Sequence, residues 1–274
     1  MKKYKFDNIV AETLLIPLYA RAMESKREKD AILRDPTAQQ LIDNIDYDYS
    51  IIERSPKSEV GCVVRGAYFD NAVKRFLERN PKAVGINIGC GLDTRYQRLG
   101  EPEGLVYYDV DLPMVMDIRS ELIPKSPNNH YVAASILDTE WMDSIKAQHP
   151  DASFIITIEG VLMYFHESQV KNILHNLVSR FSVGELWFDT CGKLIASGVT
   201  KPDSLRNHAA QIRSGITDGR DVEVWEPSLK LIEQVSYPEF HRNRWGLFMY
   251  LFSFLPRSWS FPFSSMMGYK IGGV

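Results

Sequence analysis

Two glycines, Gly89 and Gly91, are followed by a pair of aspartates, Asp109 and Asp111, and later by Glu159 behind an apolar run. Glycine lets backbone come close to a ligand, and an acid roughly 20 residues further on meets ribose hydroxyls. A carboxylate that ends a buried run needs a partner. The first stretch, GINIGCGLDTR from Gly85 to Arg95, is a G-x-G-x-x-T in which Thr94 takes the place of a dinucleotide fingerprint's third glycine. Asp93 stands where a pyrophosphate would dock and would repel it. The loop therefore suits an adenosine ligand without phosphates, and S-adenosyl-L-methionine is the expected cofactor. Asp109 and Asp111 share one face of their strand, so alternation does not separate them. Asp111 lies nearer the carboxyl end, where ligands bind, and is the favoured ribose acid; the rival reading has it capping the helix that starts at Pro113.

Other residues complete the candidate site. Glu159 suits the ammonium of a sulfonium ligand, or else a salt bridge to a cationic side chain from the N-terminal region. Arg65 and Arg21 offer guanidinium groups, which clamp carboxylates bidentately; Arg21 also reads as an exposed helix arginine. Ser135, Ile136 and Asp138 end the third strand, where an adenine would lie, although Asp138 also suits a helix cap before Thr139. Tyr164 stands at the mouth of the site, within reach of an acceptor together with Arg21. His166 is the nearest general base, or simply a polar residue opening a helix. The aromatic stretch from Trp245 to Phe263 lines an apolar acceptor pocket or packs a last helix into the core.

The elements that must hold these residues alternate. Strands are expected at Val84–Ile88, Leu105–Asp111, His130–Ile136, Ser153–Glu159 and Gly184–Cys191. Helices are expected at Leu92–Leu99, Leu112–Leu122, Thr139–Gln148 and Glu167–Phe181. The last of these carries Val170, Ile173, Leu174, Leu177, Val178 and Phe181 on one face. This rhythm implies a doubly wound α/β fold, a mostly parallel sheet. Residues 192–228 break it as an insertion over the strand ends; a strand at Lys230–Tyr237 and a short antiparallel one at Tyr269–Val274 close the chain. The division expected is a helical cap over 1–80 and a Rossmann-like core over 81–274. Within the cap, a helix over Ala11–Glu24 should break near Ile16 because Pro17 follows, and another should lead from Tyr68 to Leu77.

Composition narrows the classes. The net charge of −3, with basic residues dispersed, gives no reason to expect nucleic acid. Cys62, Cys90 and Cys191 have no metal-ligand spacing and fit a reduced, cytoplasmic setting. No signal peptide is visible, and Trp245–Leu255 falls short of the roughly 20 apolar residues of a membrane span. The expected partner is a small-molecule acceptor, with no membrane; a homo-oligomer stays open.

The segments INIGCGLDTR, YYDVDLP and IEGVLMYF, in that order, resemble the leucine carboxyl methyltransferase family and its bacterial branch of polyketide-type O-methyltransferases. TLLIPLYARAMESKR, DPTAQQLIDNIDYDYS and VVRGAYFD are similar to that branch as well, so the resemblance runs from about residue 10 to about 190 and weakly onward. It implies a Rossmann-like sheet, S-adenosyl-L-methionine and methyl transfer to an oxygen, often of a carboxylate. By motif position Arg65 matches the arginine that holds the methionine carboxylate, Gly89 the turn contact, Asp111 the ribose acid and Glu159 the acid after strand four. Eukaryotic members have Asp-Leu near the adenine and a lysine before the cap arginine. Here Ser135-Ile136 and Ala20 stand there, which favours a polyketide-like or peptide-like small molecule over a phosphatase. A carboxylate acceptor is already ionised and needs no base; a phenol would use one. The rival classes are a nicotinamide oxidoreductase, which Asp93 and Thr94 oppose, and a non-catalytic S-adenosylmethionine-binding protein.

Overall fold

Three apolar residues, a glycine and one asparagine, Val84–Ile88, form an inner strand that is buried at every position. The computed structural model describes residues 4–5, 9–53, 55–199, 203 and 211–272. In chain order the strands of the main sheet are β1 (Val84–Ile88), β2 (Val106–Asp111), β3 (Asn129–Ala133), β4 (Phe154–Ile158), β5 (Gly184–Cys191), β6 (Leu229–Val235) and β7 (Ser264–Ile271). They lie in the order β3-β2-β1-β4-β5-β7-β6. Only β7 is reversed, antiparallel to both β5 and β6. The order turns back between β1 and β4, which opens a crevice beyond the carboxyl ends of the strands.

The helices are α1 (Ile9–Ser25), α2 (Pro36–Asn44), α3 (Pro56–Arg79), α4 (Pro113–Leu122), α5 (Glu140–Gln148), α6 (Glu167–Arg180), α7 (Arg220–Trp225) and α8 (Gly246–Phe252). Alternation along the strands feeds two faces. Phe154, Ile156 and Ile158 pack with α5 and α6, where the whole expected apolar face of α6 is buried. Ile155, Trp187 and Met266 point the other way, onto Val64, Phe69, Val73 and Phe76 of α3. Strands covered on both faces read as continuous apolar runs, which is why β4 is FIITI. α1 and α2 pack on each other and on Leu92 of the glycine turn. No described helix is long and apolar enough to cross a membrane.

Four expectations are corrected. α1 runs unbroken through Pro17; the proline removes one backbone donor, but Leu15 and Leu18 on either side of it are fully buried and hold the helix. After the glycine turn the helix is a single turn, Arg95–Arg98, because the side chain of Thr94 donates to Asp35 and that of Asp93 accepts from Arg98. The last strand starts at Ser264, five residues before Tyr269, since β5 and β6 pair with it from both sides. The third strand ends at Ala133, so Ser135 and Ile136 lie in the turn beyond it. Of the expected insertion, residues 200–202 and 204–210 lie outside the described residues.

Candidate active site

A cavity of about 960 Å³ opens at the carboxyl ends of the strands. Its wall includes Arg21, Arg65, Gly89, Gly91, Asp111, Ser135, Ile136, Glu159 and Tyr164. Asp138 and His166, also expected in the site, are not part of it. The turn after β1 is tied to β2, with Gly89 N donating to Val110 O at 2.8 Å. Gly89 has φ +67°, and a Cβ there would come within 2.3 Å of Val161 Cγ2. Glycine is therefore demanded twice, by the backbone angle and by the neighbour.

Asp109 and Asp111 have different surroundings. Asp109 is consumed inside the fold: its carboxylate accepts from Arg119 Nη2 at 2.7 Å, Asn129 Nδ2 at 2.9 Å and Asn87 Nδ2 at 3.2 Å. Asp111 reaches the cavity wall, accepting from Gly91 N at 2.8 Å and Leu112 N at 2.7 Å. It does not cap α4, whose N-cap is Leu112. Burial raises the Asp111 pKa above the ordinary carboxylate value, against the two backbone donors that lower it.

Arg65, on α3, is set between two carboxylates. Its Nε donates to Glu159 Oε1 at 2.9 Å and its Nη1 to Asp189 Oδ2 at 2.8 Å. Glu159 also accepts from Arg95 Nη2 at 2.5 Å. It thus makes the salt bridge to an arginine of the N-terminal region that was one of its two readings, and a second to an arginine of the glycine turn. Arg95 is fully buried and continues to Asp70 Oδ1 at 2.9 Å, Asn87 Oδ1 at 3.0 Å and Thr157 Oγ1 at 3.1 Å.

Arg21 is buried rather than exposed. It donates to Asp35 Oδ2 and to Leu92 O, both at 2.9 Å, and so braces the turn from outside. Asp93 is gripped by Arg98 Nη1 at 2.6 Å, with Arg95 Nη1 at 3.4 Å. The desolvation of Asp93 is outweighed by these arginines, which hold its carboxyl well below the ordinary range. Its charge is thus matched within the protein, and bare repulsion of a pyrophosphate by Asp93 is not available as an argument against a dinucleotide.

Ile136 is buried on the wall, and Ser135 O accepts from Trp141 Nε1 at 3.1 Å. Asp138 is exposed and closes its own turn, accepting from Ser135 N at 3.2 Å; Thr139 is the N-cap of α5. His166 is exposed at the N-cap of α6, where its N donates to Gln169 Oε1 at 3.1 Å. Its role as a polar residue opening a helix is what the geometry displays. Burial pushes the Tyr164 phenol up to about 12, so it stays protonated near neutral pH and can donate. On the far side, Trp245, Phe248, Met249, Phe252 and Phe263 line the cavity, while α8 buries none of its residues. Core packing accounts for Trp245 and for Met249, which rests against the same cluster, but not for the exposed Leu247, Phe248 and Leu251.

Asp189 and Tyr237 line the cavity and Arg95 pairs with Glu159 behind it, and none of the three stands out in the sequence reading. A charged residue in the middle of GELWFDTC was a usable signal, since a buried strand does not carry an unpaired aspartate. Arg95 looked like an ordinary residue of a helix, and nothing local marks Tyr237.

The donor set suits S-adenosyl-L-methionine. Two glycines at positive φ leave the turn backbone open beside Asp111, an acceptor for hydroxyls. Arg65 Nη2 has no hydrogen-bond partner among the described residues, and a Cβ on Gly160 would lie only 3.1 Å from it. The chain is 31% identical over 227 residues to the tetracenomycin polyketide synthesis O-methyltransferase TcmP of Streptomyces glaucescens, covering 83% of each. It is 26% identical to a Mycobacterium marinum protein described as an S-adenosyl-L-methionine-dependent methyltransferase, covering 84% of this chain and 79% of that one. In fold it is similar to a methyltransferase-assigned structure from Thermobifida fusca, with a TM-score of 0.56 at 16% identity and coverage of 93% and 94%. The profile of the leucine carboxyl methyltransferase family matches residues 15–178. The chain belongs to the leucine carboxyl methyltransferase family and is an S-adenosyl-L-methionine-dependent methyltransferase.

Proposed function

We propose that the chain methylates a carboxylate of a small molecule, polyketide-like or peptide-like, forming a methyl ester. The carrying observation is that no histidine among the described residues lines the cavity, while Tyr164 is held protonated. Among the described residues such a wall can orient and desolvate an acceptor but offers no imidazole to take the proton of a phenol. A carboxylate arrives ionised and needs none. The similarity to TcmP supports an oxygen acceptor.

In this reading the backbone at Gly89 and Gly91 passes close under the ligand, and Asp111 accepts from the ribose hydroxyls. Ser135 and Ile136 border the adenine, with Ile136 as the apolar floor. Arg65 holds the methionine carboxylate, and Glu159 faces the ammonium. The cofactor supplies a methyl group made electrophilic by a sulfonium. Tyr164 donates to the acceptor and fixes its approach. Arg21, on the cavity wall, shapes the turn through Nε on Asp35 and Nη2 on Leu92 O, which leaves Nη1 for an acceptor. Catalysis then comes from alignment in a water-poor cavity.

The test supplies an aromatic carboxylic acid and its matched phenol and identifies products by mass. The expected product is the ester, formed at a rate nearly flat from about pH 6 to 9, and His166→Ala leaves it unchanged. Ether as the sole product, at a rate climbing with pH and lost in His166→Ala, overturns the reading.

A further inference from the structure

Asp189 takes no part in the cofactor contacts proposed above, yet it is held on every side. Its Oδ1 accepts from Gly160 N at 2.6 Å. Its Oδ2 accepts from Tyr237 OH at 2.9 Å and from Arg65 Nη1 at 2.8 Å. The Asp189 side chain is 2% exposed, whereas that of Glu159, the other partner of Arg65, is 12% exposed and shared with Arg95. Arg65 thus hangs between an immobilised anion and a more open one, with Nη2 lying beside the bare Cα of Gly160.

Tyr237 belongs to the opposite wall. It opens the single turn Tyr237–Glu239 that follows β6. Its ring lines the cavity near α3, where a Cβ on Gly61 would lie 4.0 Å away. Glu239 ties the turn down, accepting from Ser236 N at 2.7 Å and pairing with Arg257 Nη2 at 2.8 Å. Arg257 belongs to the aromatic segment, so that segment holds the turn that carries Tyr237, whose hydroxyl in turn reaches Asp189 and, through it, Arg65.

We propose that Asp189 and Tyr237 are positioning residues for Arg65: they fix the guanidinium so that Nη2 is presented to the carboxylate at the amino-acid end of the cofactor. The inference rests on the reading that Arg65 holds that carboxylate. Two carboxylates at right positions on Nε and Nη1 set the plane of the guanidinium, and the third nitrogen has only one way to point. With Asp189 neutralised to Asn, its amide NH₂ would face one of three donors, and Arg65 would turn toward Glu159. Tyr237 holds the Asp189 oxygen that receives Arg65, so a residue of the acceptor wall sets cofactor affinity.

The test compares two ligands by calorimetry. S-adenosyl-L-homocysteine has the amino-acid end; 5′-methylthioadenosine lacks it. The wild type is expected to prefer the first. Asp189→Asn is expected to cut that preference about tenfold and Tyr237→Phe about threefold, with affinity for 5′-methylthioadenosine unchanged in both. Equal weakening of both ligands, or an undiminished preference, overturns the proposal, because a merely structural role would not distinguish them. Tyr237→Phe decides alone if Asp189→Asn does not fold. Arg65→Met separates the two readings. If it keeps the preference, the assignment of Arg65 itself fails; if it abolishes the preference while the other two variants retain it, only the positioning role fails.

Discussion

The two walls of the cavity are built differently. On the cofactor side, Arg21, Arg95, Arg98 and Arg119 are buried and joined to Asp35, Asp70, Asp93, Asp109 and Glu159, so the glycine turn is braced from several directions. On the opposite wall, proposed to face the acceptor, no residue of α8 is fully buried, with Leu247 and Phe248 each 75% exposed and Leu251 60% exposed. A ligand that is the same in every turnover gains from groups already fixed in place. An exposed aromatic wall is ordered instead by what it covers, and its contribution to affinity depends on the acceptor's shape.

The largest effect expected is on stability, from the braced side. Arg95→Met takes one of two arginine partners from each of two largely buried carboxylates, leaving Asp70 to Arg98 and Glu159 to Arg65, and should cost about 3–5 kcal/mol, read as a lower urea midpoint with unchanged slope. A loss under about 1 kcal/mol would mean the contrast between the walls is not energetic. Asp111→Ala comes next: it should weaken cofactor binding about 100-fold while the protein stays folded, since two hydrogen bonds to a charged acceptor are lost. Hydroxyl donors, as proposed for the ribose, favour the ionised form of a carboxylate, and burial has raised the folded pKa of Asp111. Wild-type affinity should therefore be full above that pKa and fall as pH drops through it, while Asp111→Asn binds weakly without that dependence. The smallest effect belongs to the open wall. Phe248→Ser should change stability by no more than about 0.5 kcal/mol and leave cofactor affinity alone, while raising the KM for the acceptor severalfold. A large loss of stability there would erase the distinction between the two walls.

Much of this was legible where chemistry is local. The glycine turn, the strand rhythm and the apolar face of α6 follow from spacing, because backbone angle and periodicity are properties of neighbouring residues. The preference for Asp111 over Asp109 rested on a single pleat of distance along β2, and the reason behind it is Arg119, ten residues later in sequence and invisible to alternation. The unread parts are those in which distant segments meet. Asp93 was credited with repelling phosphate because its arginines come partly from α1 and partly from the turn itself. Asp189 needed α3 and the turn after β6 before it could mean anything. Pro17 looked like a break because the burial that overrides it comes from α2 and the glycine turn.

The reversed strand β7 has one more implication, for the order in which the protein can be assembled. β7 is synthesised after β6 but sits between β6 and β5, so β6 cannot join the sheet when it leaves the ribosome. Until Ser264–Ile271 emerges, β5 is an open edge of eight residues, a sticky template while translation continues. The fold is then completed by a late insertion into the gap rather than by growth at the rim.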